Sequence, residues 1–276
     1  MTCLPDFDAA AMTALEVHET RAHAIPSREV RDLGDSFVLF DPHDVDPFWN
    51  RLAAVRWPED PAAFDRRLTE ALTMFAVVGR RAHVWPSPVH AGPADLADRL
   101  LANGFRDIGG GHMMVLEEPG MSPPVRPAEL DRGVTLHAIL RHADAGPRDL
   151  ADIGDVLAAS FGAPRGRGPE LAADLALTLD DQRVALVLVR VGGVAAAVAK
   201  ATTFDGLTYL SSIGTLAGFR GRGLAGLATR HVIAAAGGVH RRRAYLGVFS
   251  GNAPALRLYR RLGFVSVGES PDLLLG

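Results

Sequence analysis

The sequence is poor in the residues on which several large function classes depend. Among 276 residues there is one cysteine, Cys3, so no internal disulfide can form and no thiolate cluster is available for zinc or iron–sulfur. A lone thiol of this kind is too isolated to serve as a catalytic nucleophile. The ten histidines include no His-x-x-x-His pair, and no metal centre is expected. Basic charge is not in surplus: 29 Lys and Arg face 32 Asp and Glu, for a net charge of −3, so the broad basic footprint of a nucleic-acid binder is missing. Long apolar runs are missing too. The most apolar stretch, Val184–Ala199, falls short of the ~20 residues a membrane span needs, and Arg190 and Gly192-Gly193 interrupt it. The chain opens on no basic-then-apolar leader, so a cytoplasmic protein is expected. Aromatics are scarce at 7 %, and Trp49, Trp57 and Trp85 all fall in the first half, where they read as core residues.

What remains is the composition of a folded globule, 48 % hydrophobic and 22 % charged, long enough to bury a sizeable core. The interrupted apolar stretch reads as a hairpin, Val184–Val191 and Val194–Lys200 about a Gly-Gly turn. A second turn, Asp205-Gly206, leads into a third strand over Leu207–Leu216. Apolar positions at Leu224, Leu227, Ala228, His231 and Val232 predict a helix over Gly223–Ala236, stopped by Gly237-Gly238. Arg243–Phe249 predicts a strand, Asn252–Leu262 a helix closed by Gly263, and Phe264–Val267 a further strand. Upstream, Val134–Leu140 predicts a strand, and Asp149–Phe161 and Pro169–Leu179 predict helices. The order β, α, α, β, β, β, α, β, α, β describes a mixed α/β domain of roughly 145 residues. The proline-rich stretch Glu118–Pro127 precedes it and reads as a stiff linker. The chain is therefore divided into residues 1–120, a linker over 121–129, and residues 130–276. The first half echoes the second: a helix over Ala94–Ala102 ends in Gly104-Phe105 and precedes a strand over Gly109–Leu116, which hints at an internal duplication.

Two segments carry candidate chemistry. Arg220-Gly221-Arg222-Gly223-Leu224-Ala225 stands between a strand and an amphipathic helix. Glycines there let backbone approach a ligand closely, and the first helical amides have no intrahelical partner, which suits an anion such as phosphate. No Gly-Lys-Ser/Thr follows and the glycine spacing is wrong for a dinucleotide fingerprint. A plain strand-to-helix turn with solvated arginines explains the hexapeptide equally well. In the second segment Asn252 suits a helix cap and Pro254 a first-turn position. Tyr259, seven positions on, shares the Asn252 face; Leu256 and Leu262 serve the core.

Together these residues resemble the GNAT superfamily of N-acyltransferases. Arg220-x-x-Gly223-x-Ala225 looks like that family's acyl-CoA-binding motif, and Asn252 through Phe264 looks like the motif that follows it, down to Tyr259 and the terminal Gly-Phe. The resemblance covers about half the chain, and the first half is similar to a degenerate copy: Val84-Trp85-Pro86 and Gly104-Phe105 fit, but no Arg-Gly-x-Gly equivalent precedes residue 130. The fold it implies is α/β (mixed α+β), with two GNAT-like domains, each a mostly antiparallel central sheet flanked by helices. The donor it implies is acetyl-CoA, with no metal. Ile213, Gly214 and Thr215 would pair with the pantetheine arm as an added strand. Arg220, Gly221, Arg222, Gly223, Leu224, Ala225 and Gly226 would wrap the pyrophosphate. Asn252 would bond the pantetheine, and Tyr259 would protonate the departing thiolate.

The chain departs from the family pattern at several positions. Ala217 stands where proline is common, Gly247 stands where some members carry a glutamate base, and Leu207–Leu216 offers no carboxylate. Asp180, Asp181, Asp205 and His231 are the remaining candidate bases, although each also reads as a loop or surface residue. Arg165 and Arg167 suit an acidic acceptor group, and Arg241–Arg243 a 3′-phosphate, although a solvated loop and a wet charged surface are the plainer readings. The expected activity is N-acetylation of a small-molecule primary amine, with no nucleic-acid or membrane partner and a homodimer left open. A tRNA-dependent aminoacyl transfer is disfavoured by the net charge. A catalytically silent acyl-CoA-binding sensor is the alternative.

Overall fold

The computed structural model describes residues 7–117, 133–164, 166–237 and 243–276. The expected linker over 121–129, Cys3, Arg165, Gly238, Arg241 and Arg242 lie outside them. The chain forms two compact units, one comprising residues 1–115 and 247–276, the other residues 116–246.

The first unit begins with α1 (Ala9–Ala24), β1 (Glu29–Asp32), β2 (Phe37–Phe40) and β3 (Arg51–Ala53). Next come α2 (Pro61–Val77), β4 (His83–Val84), α3 (Leu96–Ala102), β5 (Phe105–Asp107) and β6 (Gly111–Glu117). Asp60 caps α2 by accepting from the Ala63 amide at 2.8 Å, with Pro61 in the first turn. Phe64, Leu68, Ala71 and Phe75 recur at helical spacing along α2 and are buried with Leu52, Val84, Leu100 and Phe105.

The second unit contains β7 (Val134–Ile139), α4 (Asp149–Phe161), α5 (Arg167–Thr178), β8 (Val184–Val191), β9 (Val194–Phe204), β10 (Leu207–Thr215) and α6 (Leu224–Ala235). The strand β11 (Arg243–Phe249) begins in this unit and ends in the first. The Gly-Gly hairpin forms as expected, with Gly192 and Gly193 both at positive φ. β7, β8, β9 and β10 run antiparallel in that order, and β11 joins β10 in parallel. β8 and β9 are buried along most of their length, as strands covered on both faces must be; α4 and α6 each pack on β9 and β10. Ile153, Val156 and Leu157 of α4 sit in the core with Ile139, Leu186 and Val198. A side chain at Gly154 would come within 2.3 Å of the Gly168 carbonyl oxygen, so the glycine is what lets α4 and α5 touch.

The chain returns to the first unit with α7 (Ala253–Arg261), β12 (Val265–Ser270) and β13 (Leu273–Leu275). The serial division expected from the sequence is not the one that forms. β13 lies between β4 and β5, antiparallel to both, and completes a six-stranded sheet in the order β1-β2-β3-β4-β13-β5. β12 pairs antiparallel with β6. A Cβ at Gly268 would come within 2.6 Å of Pro88, and one at Gly110 within 2.0 Å of the Ser270 carbonyl oxygen. The last thirty residues are thus held to the first unit by strand ladders and by glycines that admit close backbone approach. His83, buried on β4, contacts Asp272 beside β13 and the Pro47 carbonyl oxygen at 2.7 Å.

The tryptophans divide. Trp57 is buried as expected, packed edge-on against Phe64. Trp49 and Trp85 are half-buried and serve as platforms for arginine instead: Arg28 lies 3.7 Å from the Trp49 ring centre and Arg51 3.8 Å from that of Trp85.

Candidate functional site

In the second unit, the strand β10 breaks register in its middle. Ser211 opposes Lys200, but the next aligned pair is Gly214 with Val198, and Ser212 takes a φ of 50°. Two residues on β10 thus stand opposite one on β9, a bulge that turns the backbone of Ser212 and Ile213 out of the ladder. On its other side β10 pairs with β11 only over Leu207–Tyr209. Among the described residues, the backbone edge from Leu210 to Thr215 makes no strand pair on that side. Such an edge is a template for an extended ligand.

The loop after β10 holds the residues expected to cradle an anion. Gly221 and Gly223 have φ of 76° and 75°, which only glycine adopts freely. A side chain at either would meet nothing within 4 Å, so the space beside the loop is open. Gly223 is the N-cap of α6 and supplies no side-chain bond, and Leu227 is the residue whose amide reaches back to the Gly223 carbonyl, at 3.0 Å. The amides of Leu224, Ala225 and Gly226 are therefore left without intrahelical acceptors at the positive end of the helix. Both arginines are exposed. The Arg220 Nε donates to the Thr215 carbonyl at 3.2 Å, and Arg222 lies 5.8 Å from the Phe219 ring centre.

In the first unit, Asn252 caps α7 by accepting from the Ala255 amide at 3.2 Å, which leaves its side-chain NH₂ for other use. Tyr259 is 6 % exposed and meets Phe264 edge-on at 5.8 Å. The shared face expected of Asn252 and Tyr259 is not a shared environment: Asn252 is exposed while the tyrosine is buried. Burial pushes the Tyr259 phenol well above its ordinary value, so it keeps its proton across the neutral and mildly alkaline range. Gly263, with φ of 92°, closes α7 ahead of buried Phe264. The same closure ends α3, where Gly104 with φ of 87° precedes buried Phe105. The two helix ends are built alike, as the sequence echo implies.

The candidate bases fare unequally. Asp181 is gripped by Arg183 at 2.5–3.1 Å, and that hydrogen bonding holds its carboxyl below the ordinary value. Asp180 and Asp205 are exposed, the latter in the β9–β10 turn. His231 is half-buried, its Nδ1 has no partner, and loss of solvent lowers its pKa, so its ring is neutral at pH 7. Gly247 is exposed and a side chain there would meet nothing within 4 Å. Arg167 pairs with Glu170, and Arg243 with Glu117 at 2.7 Å, so neither is a purely solvated charge. Among the described residues no group of three His, Cys, Asp or Glu is placed to hold a metal ion, and no helix is long and apolar enough to cross a membrane.

Ser160 leaves no signal at the level of sequence. This serine ends α4 against β10: a side chain on Gly214 would come within 2.8 Å of the Ser160 Oγ. That hydroxyl is buried and has no hydrogen-bond partner among the described residues. The Thr215 hydroxyl is likewise buried and unpartnered.

Residues 150–264 match the model of the Acetyltransferase (GNAT) family, a match confined to the C-terminal half of the chain. No match is found among curated proteins. Among solved structures, the chain is similar to a GCN5-related N-acetyltransferase from Kribbella flavida, at 23 % identity and a TM-score of 0.70, over 95 % of both chains. A GCN5-related N-acetyltransferase from Sphaerobacter thermophilus is 17 % identical, with a TM-score of 0.60, over 87 % of this chain and 76 % of that one. A tandem GNAT protein from the clavulanic acid biosynthesis pathway is 13 % identical, with a TM-score of 0.62, over 93 % of this chain and 87 % of that one. At these identities the likeness is one of fold: a mixed α/β chain with two mixed sheets flanked by helices, consistent with a tandem GNAT arrangement.

Proposed function

We propose that the chain, whose residues 150–264 match the GNAT acetyltransferase family model, moves an acetyl group from acetyl-CoA to a small-molecule primary amine. The unpaired edge of β10 beside its bulge carries the reading. An extended pantetheine arm has amide groups that can pair with the backbone of Ile213, Gly214 and Thr215 as a further strand does. The pyrophosphate then meets the free amides between Gly221 and Gly226 at the start of α6, with Arg220 and Arg222 beside it. The family resemblance assigns the Asn252 side chain to the pantetheine. The amine nitrogen attacks the thioester carbon, the C–S bond breaks, and the electron pair leaves on sulfur. The family resemblance assigns to Tyr259 the transfer of a proton to that thiolate, after which the phenol regains a proton from solvent. A backbone amide at the bulge stabilises the oxyanion. The nitrogen loses its extra proton to solvent. The setting is cytoplasmic.

Release of CoA thiol from acetyl-CoA in a panel of primary amines tests the reading. Thiol released in step with acetylated amine supports it; none with any amine refutes it. The alternative, a silent acyl-CoA-binding sensor, rests on Gly247, where no carboxylate is available as a base. Acetyl-CoA binding without turnover would favour that second reading.

A further inference from the structure

Among the described residues, seven serine or threonine side chains lie within the α-helices, and six of them do the same thing. Thr13, Thr20, Thr69, Thr73 and Thr229 each donate to the carbonyl four residues back, at 2.8–2.9 Å, and Thr178 to the one three back at 2.7 Å. Back-bonding is the usual resort of a helical hydroxyl. Ser160 is the seventh. The Val156 carbonyl lies four residues back in the same helix, yet the Ser160 Oγ is buried without a partner. A buried hydroxyl with nothing to bond is costly, and in a folded protein it calls for an explanation.

Its position supplies one. The last turn of α4 rests on β10 at Gly214, where the missing side chain leaves room for the serine. Two residues earlier, Ser212 and Ile213 form the bulge at which the proposed reaction places the thioester carbonyl. Neither Leu207–Thr215 nor Val156–Phe161 contains a carboxylate. What these two segments offer a nitrogen next to the bulge is therefore a neutral hydroxyl rather than a charge. A hydroxyl accepts a hydrogen bond from an uncharged amine without the strong preference for ammonium that a carboxylate has.

We propose that Ser160 is a positioning residue for the acceptor, its hydroxyl accepting a hydrogen bond from the uncharged primary amine as the amine approaches the thioester. This rests on the acetyltransferase reading, and its test separates the two. Ser160→Ala is compared with the unaltered protein in three measurements: thermal midpoint, acetyl-CoA affinity, and steady-state kinetics with the best amine from a panel that includes glycinamide and ethylamine. The expected result is an acceptor KM raised about tenfold, the loss of one net hydrogen bond. Little change is expected in kcat, in acetyl-CoA affinity or in midpoint, and Ser160→Cys, a weak acceptor, falls between the two. An unchanged KM overturns the assignment while leaving the enzyme intact. A lower midpoint shows a structural role, and weakened acetyl-CoA binding shows a donor-side role; either overturns it as well. Absence of thiol release by the unaltered protein with every amine overturns the enzyme reading and this assignment with it.

Discussion

Gly214→Ala gives a direct measure of how closely α4 is set against β10. The new methyl would lie 2.8 Å from the Ser160 Oγ and 2.9 Å from its Cβ, while its third neighbour, Leu157 Cδ2, is at an ordinary 3.6 Å. The helix cannot easily withdraw, because Ile153, Val156 and Leu157 anchor it in the core. Overpacking of this kind costs about 1–3 kcal/mol, and a loss near 2 kcal/mol corresponds to a fall of roughly 3 °C in melting temperature for a chain of this length. Both offending atoms belong to one side chain, so the strain has a specific remedy. Ser160→Gly removes them, at about 0.5–1 kcal/mol for a helical glycine; Ser160→Ala retains the Cβ and relieves only part of the clash. The double variant Ser160→Gly/Gly214→Ala should therefore be more stable than the sum of its parts by about 1–2 kcal/mol. Urea denaturation of the four proteins, with a common m-value, reads this coupling. Strict additivity, or wild-type stability in Gly214→Ala alone, would refute the packing described for α4 and β10.

Other expectations follow from the same structure. Tyr259→Phe should lower kcat by about 10²-fold or more, the scale of general acid catalysis, with acetyl-CoA affinity retained; an unchanged kcat in thiol release removes Tyr259 from the chemistry. Because burial raises the Tyr259 pKa above its ordinary value of 10.0, the folded state holds that proton where the unfolded state has lost it. The resulting stability is fully present below pH 10 and is lost as pH rises through the folded value, a decline that Tyr259→Phe should lack in urea titrations. Burial alone would raise the Asp149 carboxyl, but hydrogen bonds from Arg190 and the Gly146 amide and the charge of His137 outweigh it and hold it below 3.8. Asp149→Asn should cost about 1.5–3 kcal/mol at neutral pH, and the gap from the unaltered protein should close as pH falls through the depressed value; a constant gap down to acid refutes the linkage. Residues 130–276 expressed alone should not melt cooperatively, because β12 and β13 lose β6, β4 and β5; a sharp calorimetric transition would contradict this.

Much of the second unit was legible because its signals are local. The Gly192-Gly193 hairpin, the helix Asp149–Phe161 and the strand Arg243–Phe249 form within the limits their patterns predict. The loop after β10 was legible in part: a glycine needed at positive φ leaves a trace in the sequence, as at Gly221 and Gly223. The bulge at Ser212 leaves none, since serine is an ordinary strand residue and the positive φ is imposed by pairing with β9. Ser160 was invisible for a similar reason, because an unpartnered hydroxyl is a property of the surroundings. The serial division into halves failed on β13, a three-residue strand whose place depends on partners more than 160 positions away. Helix α1 carries Glu16, His18, Glu19 and His23 in buried positions, so apolar periodicity could not announce it.

The central claim is that the start of α6 and the free edge of β10 form an acyl-CoA site. Thermal unfolding followed across a titration with acetyl-CoA tests it most directly, since a ligand that binds only the folded state adds about 2.7 kcal/mol at a hundredfold excess over Kd. A saturable rise in midpoint is expected, abolished by Gly223→Val, which forces a β-branched residue to the positive φ that glycine adopts there. A midpoint that does not move at millimolar acetyl-CoA, or a rise of the same size in Gly223→Val, would contradict it.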